Sequence, residues 1–358
     1  MQSDKIANPE RKRITLALQG GGSHGAFTWG VLDRLLEEPA LDIEAISGTS
    51  AGAMNGAVVA HGLMVGGPDG AKKSLHEFWR SVSEAGESVF NPHRYARDWP
   101  AVKSLAPIWS DMLSHVLSPY NNPLYTNPLE PLVAAAIDFE RLRRCETPKL
   151  FVCATNVKTN ERKIFECAEL SPNALLASAC LPSLFQAVEV DGEYYWDGGY
   201  MGNPVLAPLL DFCQDILIVE VNPLRRDEVP MRASDILDRL NEITFNASLV
   251  QEIESINTMN KLIENGNLVN TRYKPIRFHA IGAEREMSAL GLDSKMNTDW
   301  EFLRRLHTLG RESAAAWLED SEGFAKVGIC ASCDVDAKFV KPTHHDAHGK
   351  RPPHSAAG

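Results

Sequence analysis

Short apolar runs bounded by charge or glycine alternate with longer stretches of helical periodicity along the first half of the chain. Residues 14–18 read as a buried strand, with charge before and glycine after. Gly20, Gly21 and Gly22 make the turn, and a helix is expected over residues 23–38 with Phe27, Val31 and Leu35 on one face. Residues 43–47 read as a second strand. It runs into Gly48-Thr49-Ser50-Ala51-Gly52, and a small-residue helix follows to about His61. Strand, helix, strand, helix is the opening of a parallel α/β sheet.

Further along, residues 150–155 read as a buried strand with residues 162–166 as its partner. A short helix over 174–180 stops before Pro182. Strands over 188–190 and 193–196 flank Asp191-Gly192, a hairpin-turn signal. Residues 216–221 make one more buried strand. A long helix is expected from Ser234 as N-cap to Gly266 as stop, with Leu240, Ile243, Val250, Ile253 and Ile256 as a core stripe. A last strand over 276–281 and a last helix over 299–318 follow. Residues 84–125 differ: five prolines punctuate them and aromatics such as Trp99, Trp109 and Tyr120 interleave. Such a stretch is either a lid or an irregular cover over the core, the cover being the commoner use. The domain expected is residues 13–340, comprising a motif-bearing part over 14–222 and a helical part over 223–340. A flank over 1–12 precedes it, and a His-, Pro- and Gly-rich tail over 341–358 is expected to be disordered.

Composition narrows the function classes. A hydrophobic fraction of 44% and a charged fraction of 23% are those of an ordinary globular protein. The net charge of -11 argues against a nucleic-acid partner, which calls for a basic stripe. Arg11, Lys12 and Arg13 form a small basic patch, read as a solvated flank. The first ten residues carry no apolar h-region and no stretch is apolar enough to span a bilayer. The seven cysteines are scattered and odd in number, which suits a reducing compartment rather than a disulfide framework. A cytoplasmic protein is therefore expected, with peripheral membrane contact left open. Cys330 and Cys333 with His344, His345 and His348 do not have the spacing of a standard zinc finger, so no metal is expected there.

Three glycine-containing motifs carry the candidate chemistry. In the first, Ser50 falls on a sharp strand-to-helix turn, where Gly48 and Gly52 are small enough for the backbone to pass. A serine so placed is exposed and meets the N–H groups of a helix N-terminus; the plain alternative is an N-cap. In the second, Gly20-Gly21-Gly22-Ser23-His24-Gly25 follows a strand and opens a helix. Consecutive glycines let N–H groups converge on one point, as an oxyanion hole requires. The same residues fit a dinucleotide fingerprint, with Asp42 or Glu44 at the distance of a ribose-binding acid. In the third, Asp197-Gly198-Gly199 ends a strand, and its two glycines leave room beside the carboxylate. Alone it reads as a turn.

Taken in order, GGGxxG, GTSAG and DGG resemble the patatin-like phospholipase family, with the likeness running over residues 14–222. The segment Ala177-Ser178-Ala179-Cys180-Leu181-Pro182 is similar too. The resemblance implies a three-layer α/β/α fold with a central, mostly parallel sheet. It also implies hydrolysis of lipid acyl esters by a Ser-Asp dyad without histidine, calcium or other cofactor. On it, Ser50 is the nucleophile and Asp197 the proton acceptor. Gly20, Gly21 and Gly22, with the N–H of Ala51, form the oxyanion hole, and Gly25, Gly48, Gly52, Gly198 and Gly199 are the motif glycines. His24 departs from the Arg or Lys usual there. Two alternatives remain: an α/β-hydrolase triad of Ser50, Asp197 and His279, and a nucleotide-binding module using residues 20–25.

Overall fold

A computed structural model describes residues 11–89, 120, 126–226, 228–269 and 273–329. β1 (Lys12–Leu18), β2 (Leu41–Thr49), β3 (Lys149–Asn156), β4 (Arg162–Glu166), β5 (Val188–Val190), β6 (Glu193–Asp197), β7 (Asp215–Val219) and β8 (Arg277–Ile281) form one sheet. Its order is β5-β6-β3-β2-β1-β7-β8, with β4 also pairing β3. The run from β3 to β8 is parallel, while β4, β5 and β6 are antiparallel to their neighbours.

The strands read from apolar runs are the ones buried on both faces, as a parallel sheet between two helical layers requires. Leu16, Leu18, Leu217 and Val219 face one core and Ala17, Ile216 and Ile218 the other, so alternate positions feed opposite layers. The first layer holds α1 (Gly25–Leu35), α2 (Ala51–Val89, broken at Gly66 and Gly67) and the helix Trp300–Glu319. Phe27, fully buried at its centre, contributes about 1.5–3 kcal/mol by burial. The second layer is the long helix Ala233–Glu264, whose Leu249, Ile253 and Ile256 pack on the sheet. This is a three-layer α/β/α fold with a mostly parallel sheet.

Four expectations need correction. The long helix is capped two residues earlier, by Arg232, and begins at Ala233, and the Ser234 hydroxyl donates to Asp235 instead. Its N-terminal half turns the expected stripe outward: Leu240 and Ile243 are exposed, whereas Glu242, Phe245 and Asn246 are buried. Glu242 is held there by Arg226 and Arg239. Lys12 and Arg13 are not a free basic patch. Lys12 donates to the Phe324 carbonyl at 2.7 Å, and Arg13 pairs with Glu44. Cys145 and Cys167 form a disulfide, so the cysteines are not all free thiols. Packing of β4 beside β3 brings the two together across a separation of 22 residues, and no local spacing signals it. Apart from residues 84–89 and 120, the stretch 84–125 lies outside the described residues, as does the tail from 341; Tyr120 accepts a hydrogen bond from the Ala187 N–H.

Candidate active site

β2 ends and α2 begins around Ser50, which sits at φ +55°, in the left-handed region. A residue other than glycine is strained there, and such strain concentrates where a side chain must be presented. The turn is feasible because its flanks are glycine: a Cβ on Gly52 would collide with the Leu18 carbonyl, and one on Gly48 with the Gly52 backbone. Polar bonds pin the elbow. The Ser50 N–H donates to Ser178 Oγ at 2.9 Å, and the Thr49 hydroxyl to the Gly202 carbonyl at 2.7 Å.

Asp197 ends β6 and is wholly buried. Its N–H donates to the Cys180 carbonyl, its carbonyl accepts from Thr155, and Oδ1 accepts from the Gly199 N–H at 2.7 Å. Oδ2 has no hydrogen-bond partner among the described residues. Burial pushes this carboxyl up to about 7, against the opposing pull of the Gly199 N–H, the Ser50 hydroxyl and the Lys295 charge. Ser50 is thus near enough to weigh on the titration, although no bond within hydrogen-bonding limits joins the two side chains. A carboxyl with one unsatisfied oxygen, titrating near neutrality beside a hydroxyl, has the properties of a general base.

The glycine loop closes over the serine. A Cβ on Gly20 would stand 2.5 Å from Ser50 Cβ, and one on Gly25 2.7 Å from Ala51 Cβ. The structure narrows the expected donor set. The Gly20 N–H already donates to Asn203 Oδ1 at 2.6 Å, so this group is not open to an oxyanion. The N–H groups of Gly21, Gly22 and Ala51 have no acceptor among the described residues. The Gly20 carbonyl accepts from Asn222 Nδ2 at 2.7 Å. His24 is buried, shares a 2.7 Å hydrogen bond between Nε2 and Ser294 Oγ, and is pushed down to about 3 by burial and by Lys295. It is neutral at physiological pH.

Ser178, Asn203, Asn222 and Lys295 did not stand out in the sequence as site residues. Ser178 lies inside the family-like segment 177–182, which is the one sequence signal that points to any of the four. His279 is not brought to Ser50. It sits in mid-strand on β8, its Nε2 bonded to Asp215 Oδ1 at 2.9 Å and its ring edge against Trp317. Asp215 opens β7, whereas Ser50 follows the opposite, C-terminal end of β2. A cleft of about 370 Å³ lined by Arg143, Lys149, Phe151 and Phe212 does not include Ser50 or Asp197. Among the described residues no group of three or more His, Cys, Asp or Glu is placed to hold a metal ion. Cys330, Cys333 and the histidines of the tail lie outside the described residues.

A family model described as patatin-like phospholipase matches residues 16–210, more than half of the chain. The chain belongs to the patatin-like phospholipase family. Members of this patatin-like family are lipid acyl hydrolases, and the match contains all three motifs. Similar solved structures include VipD from Legionella pneumophila, 17% identical, with a TM-score of 0.40 over 86% of this chain and 66% of that one. A second is a chain of the complex between full-length SpcU and full-length ExoU from the type III secretion system of Pseudomonas aeruginosa. It is 16% identical, with a TM-score of 0.30 over 87% of this chain and 54% of that one. The patatin-like chain thus spans less than two thirds of the length of each. No helix among its described residues is long and apolar enough to cross a membrane.

Proposed function

We propose that this patatin-like protein hydrolyses acyl esters of lipids through a Ser50–Asp197 dyad and an acyl-enzyme. The observation that carries the reading is the strained Ser50 elbow set beside a buried Asp197 carboxyl that retains one unsatisfied oxygen. Asp197 takes the Ser50 proton as Oγ attacks the ester carbonyl. The tetrahedral oxyanion is received by the N–H groups of Gly21, Gly22 and Ala51, each donor of this kind contributing about 3 kcal/mol. Collapse expels the alcohol, which takes the proton from Asp197. Asp197 then deprotonates a water that attacks the acyl-serine, and returns that proton to Ser50 Oγ as the acyl–Oγ bond breaks and the fatty acid leaves.

Several features support this reading over the others. His279 pairs with Asp215 at the start of β7, away from the Ser50 end of the sheet, which speaks against a Ser50-Asp197-His279 triad. The glycine loop lies against Ser50, and a nucleotide-binding reading gives the strained Ser50 elbow and the buried Asp197 carboxyl no role. Peripheral contact with a lipid surface is supported by the exposed apolar positions Met231, Leu237, Leu240 and Ile243. The reading calls for no metal. It is tested by treating the protein, in chelator, with a fluorophosphonate and mapping the adduct by peptide mass spectrometry. The adduct is expected on Ser50; labelling elsewhere, or equal labelling of Ser50→Ala, contradicts it.

A further inference from the structure

A 3-10 turn over Leu292–Met296, well beyond the family-matched residues, returns to the glycine loop. Three contacts dock it there. Ser294 bonds His24. The Lys295 carbonyl occupies the space that a Cβ on Gly22 would need, and Gly22 is at φ +59°. The Lys295 side chain runs inward, and its Nζ donates to Asn222 Oδ1 at 2.8 Å and to Asn241 Oδ1 at 2.9 Å. Asn222 passes this on, because its Nδ2 donates to the Gly20 carbonyl. The ammonium is therefore two hydrogen bonds from the loop that covers Ser50. It also lies 5.9 Å from the Phe245 ring, which packs on Gly199 beside Asp197.

We propose that Lys295 is a positioning residue of the acyl-transfer site. Through Asn222 it fixes the glycine loop over Ser50, and its charge favours the ionised forms of Asp197 and of the oxyanion. The inference rests on the dyad reading above.

The charges around Lys295 explain why it, rather than a neighbour, supplies this field. His24 belongs to the loop itself but is held neutral by burial. Arg226 and Arg239 are both committed to Glu242. Glu242 and Asp238 face Lys295 from the long helix and Asp197 from β6, all favouring its charged form, while Arg226 opposes it. Burial draws the ammonium down to about 8, so it remains charged near neutrality. In an interior shielded from water, a fixed cation acts on nearby charge far more strongly than at the surface.

The test compares Lys295→Met, Lys295→Gln and Lys295→Arg with wild type and Ser50→Ala on a soluble short-chain p-nitrophenyl ester. Steady-state constants are taken across pH, and each variant is checked by thermal melting. For Met and Gln, kcat is expected to fall about 10- to 100-fold with KM within about twofold. The acid limb should move to higher pH, and Arg should restore part of kcat. Wild-type kcat and limb in a folded Met or Gln variant would overturn the proposal. So would failure of both to fold, since Lys295 would then be a packing element. Activity in Ser50→Ala would instead overturn the dyad itself.

Discussion

Gly20 lies so close to Ser50 that a Cβ on one would stand 2.5 Å from the Cβ of the other and 2.6 Å from the Thr49 carbonyl. That contact makes the glycine loop and the serine elbow one unit. Gly20→Ala cannot be accommodated by a flexible side chain, so Ser50 or the loop must move. A displacement of this kind is expected to lower kcat about 100-fold while the fold survives. Steady-state kinetics with a melting curve checks it.

The pH profile follows from two buried groups. Asp197 must be ionised to accept the serine proton, and burial raises it to about 7, so activity should fall as pH drops through that value. Lys295 loses its charge above about 8, so activity should fall again on the alkaline side. A narrow bell in kcat/KM is expected, with the alkaline limb absent in Lys295→Met. Rate measurements between pH 5 and pH 10 decide this.

Stability should respond to Asp197 in the opposite sense to activity. Its folded pKa is raised above the unfolded value of 3.8, so the folded state holds the extra proton between about pH 4 and pH 7. This group's contribution is fully present below about pH 4 and lost as pH rises through about 7. Asp197→Asn keeps an acceptor for the Gly199 N–H and removes the buried charge. It should match wild type near pH 4 and exceed it above pH 7 by up to about 4 kcal/mol, at about 1.4 kcal/mol per pKa unit. Paired melting curves at the two pH values test this. His24, lowered from 6.5 to about 3, has the opposite slope, gaining stability as pH rises. That is why the comparison is made between variant and wild type.

His279→Ala should leave kcat within about twofold and lower stability, by about 1–3 kcal/mol for the lost bond to a buried carboxylate. Asp215 would keep its pair with Arg277. Loss of most activity in a folded variant would revive the triad.

Much of this architecture is visible along the chain because β3 and β7, and most of β1, are buried on both faces and appear as largely apolar runs. The three motifs are visible because glycine is demanded wherever backbone passes close to backbone, as at Gly20 and Gly52. The long helix shows where periodicity stops being informative. Glu242, Asn246 and Asn260 are buried in place of Leu240 and Ile243, because each has a distant partner: Arg226, Gln19 and the Ile276 backbone respectively. The same holds at the site. Asn203 and Lys295 act on a loop more than 180 residues away in sequence, and no local spacing encodes such a contact.

The most direct measurement is hydrolysis of p-nitrophenyl acyl esters of graded chain length, with chelator present, by wild type, Ser50→Ala and Asp197→Asn. Activity in wild type and its loss by at least about 1,000-fold in both folded variants is the expected result. Hydrolysis that survives Ser50→Ala would contradict the account.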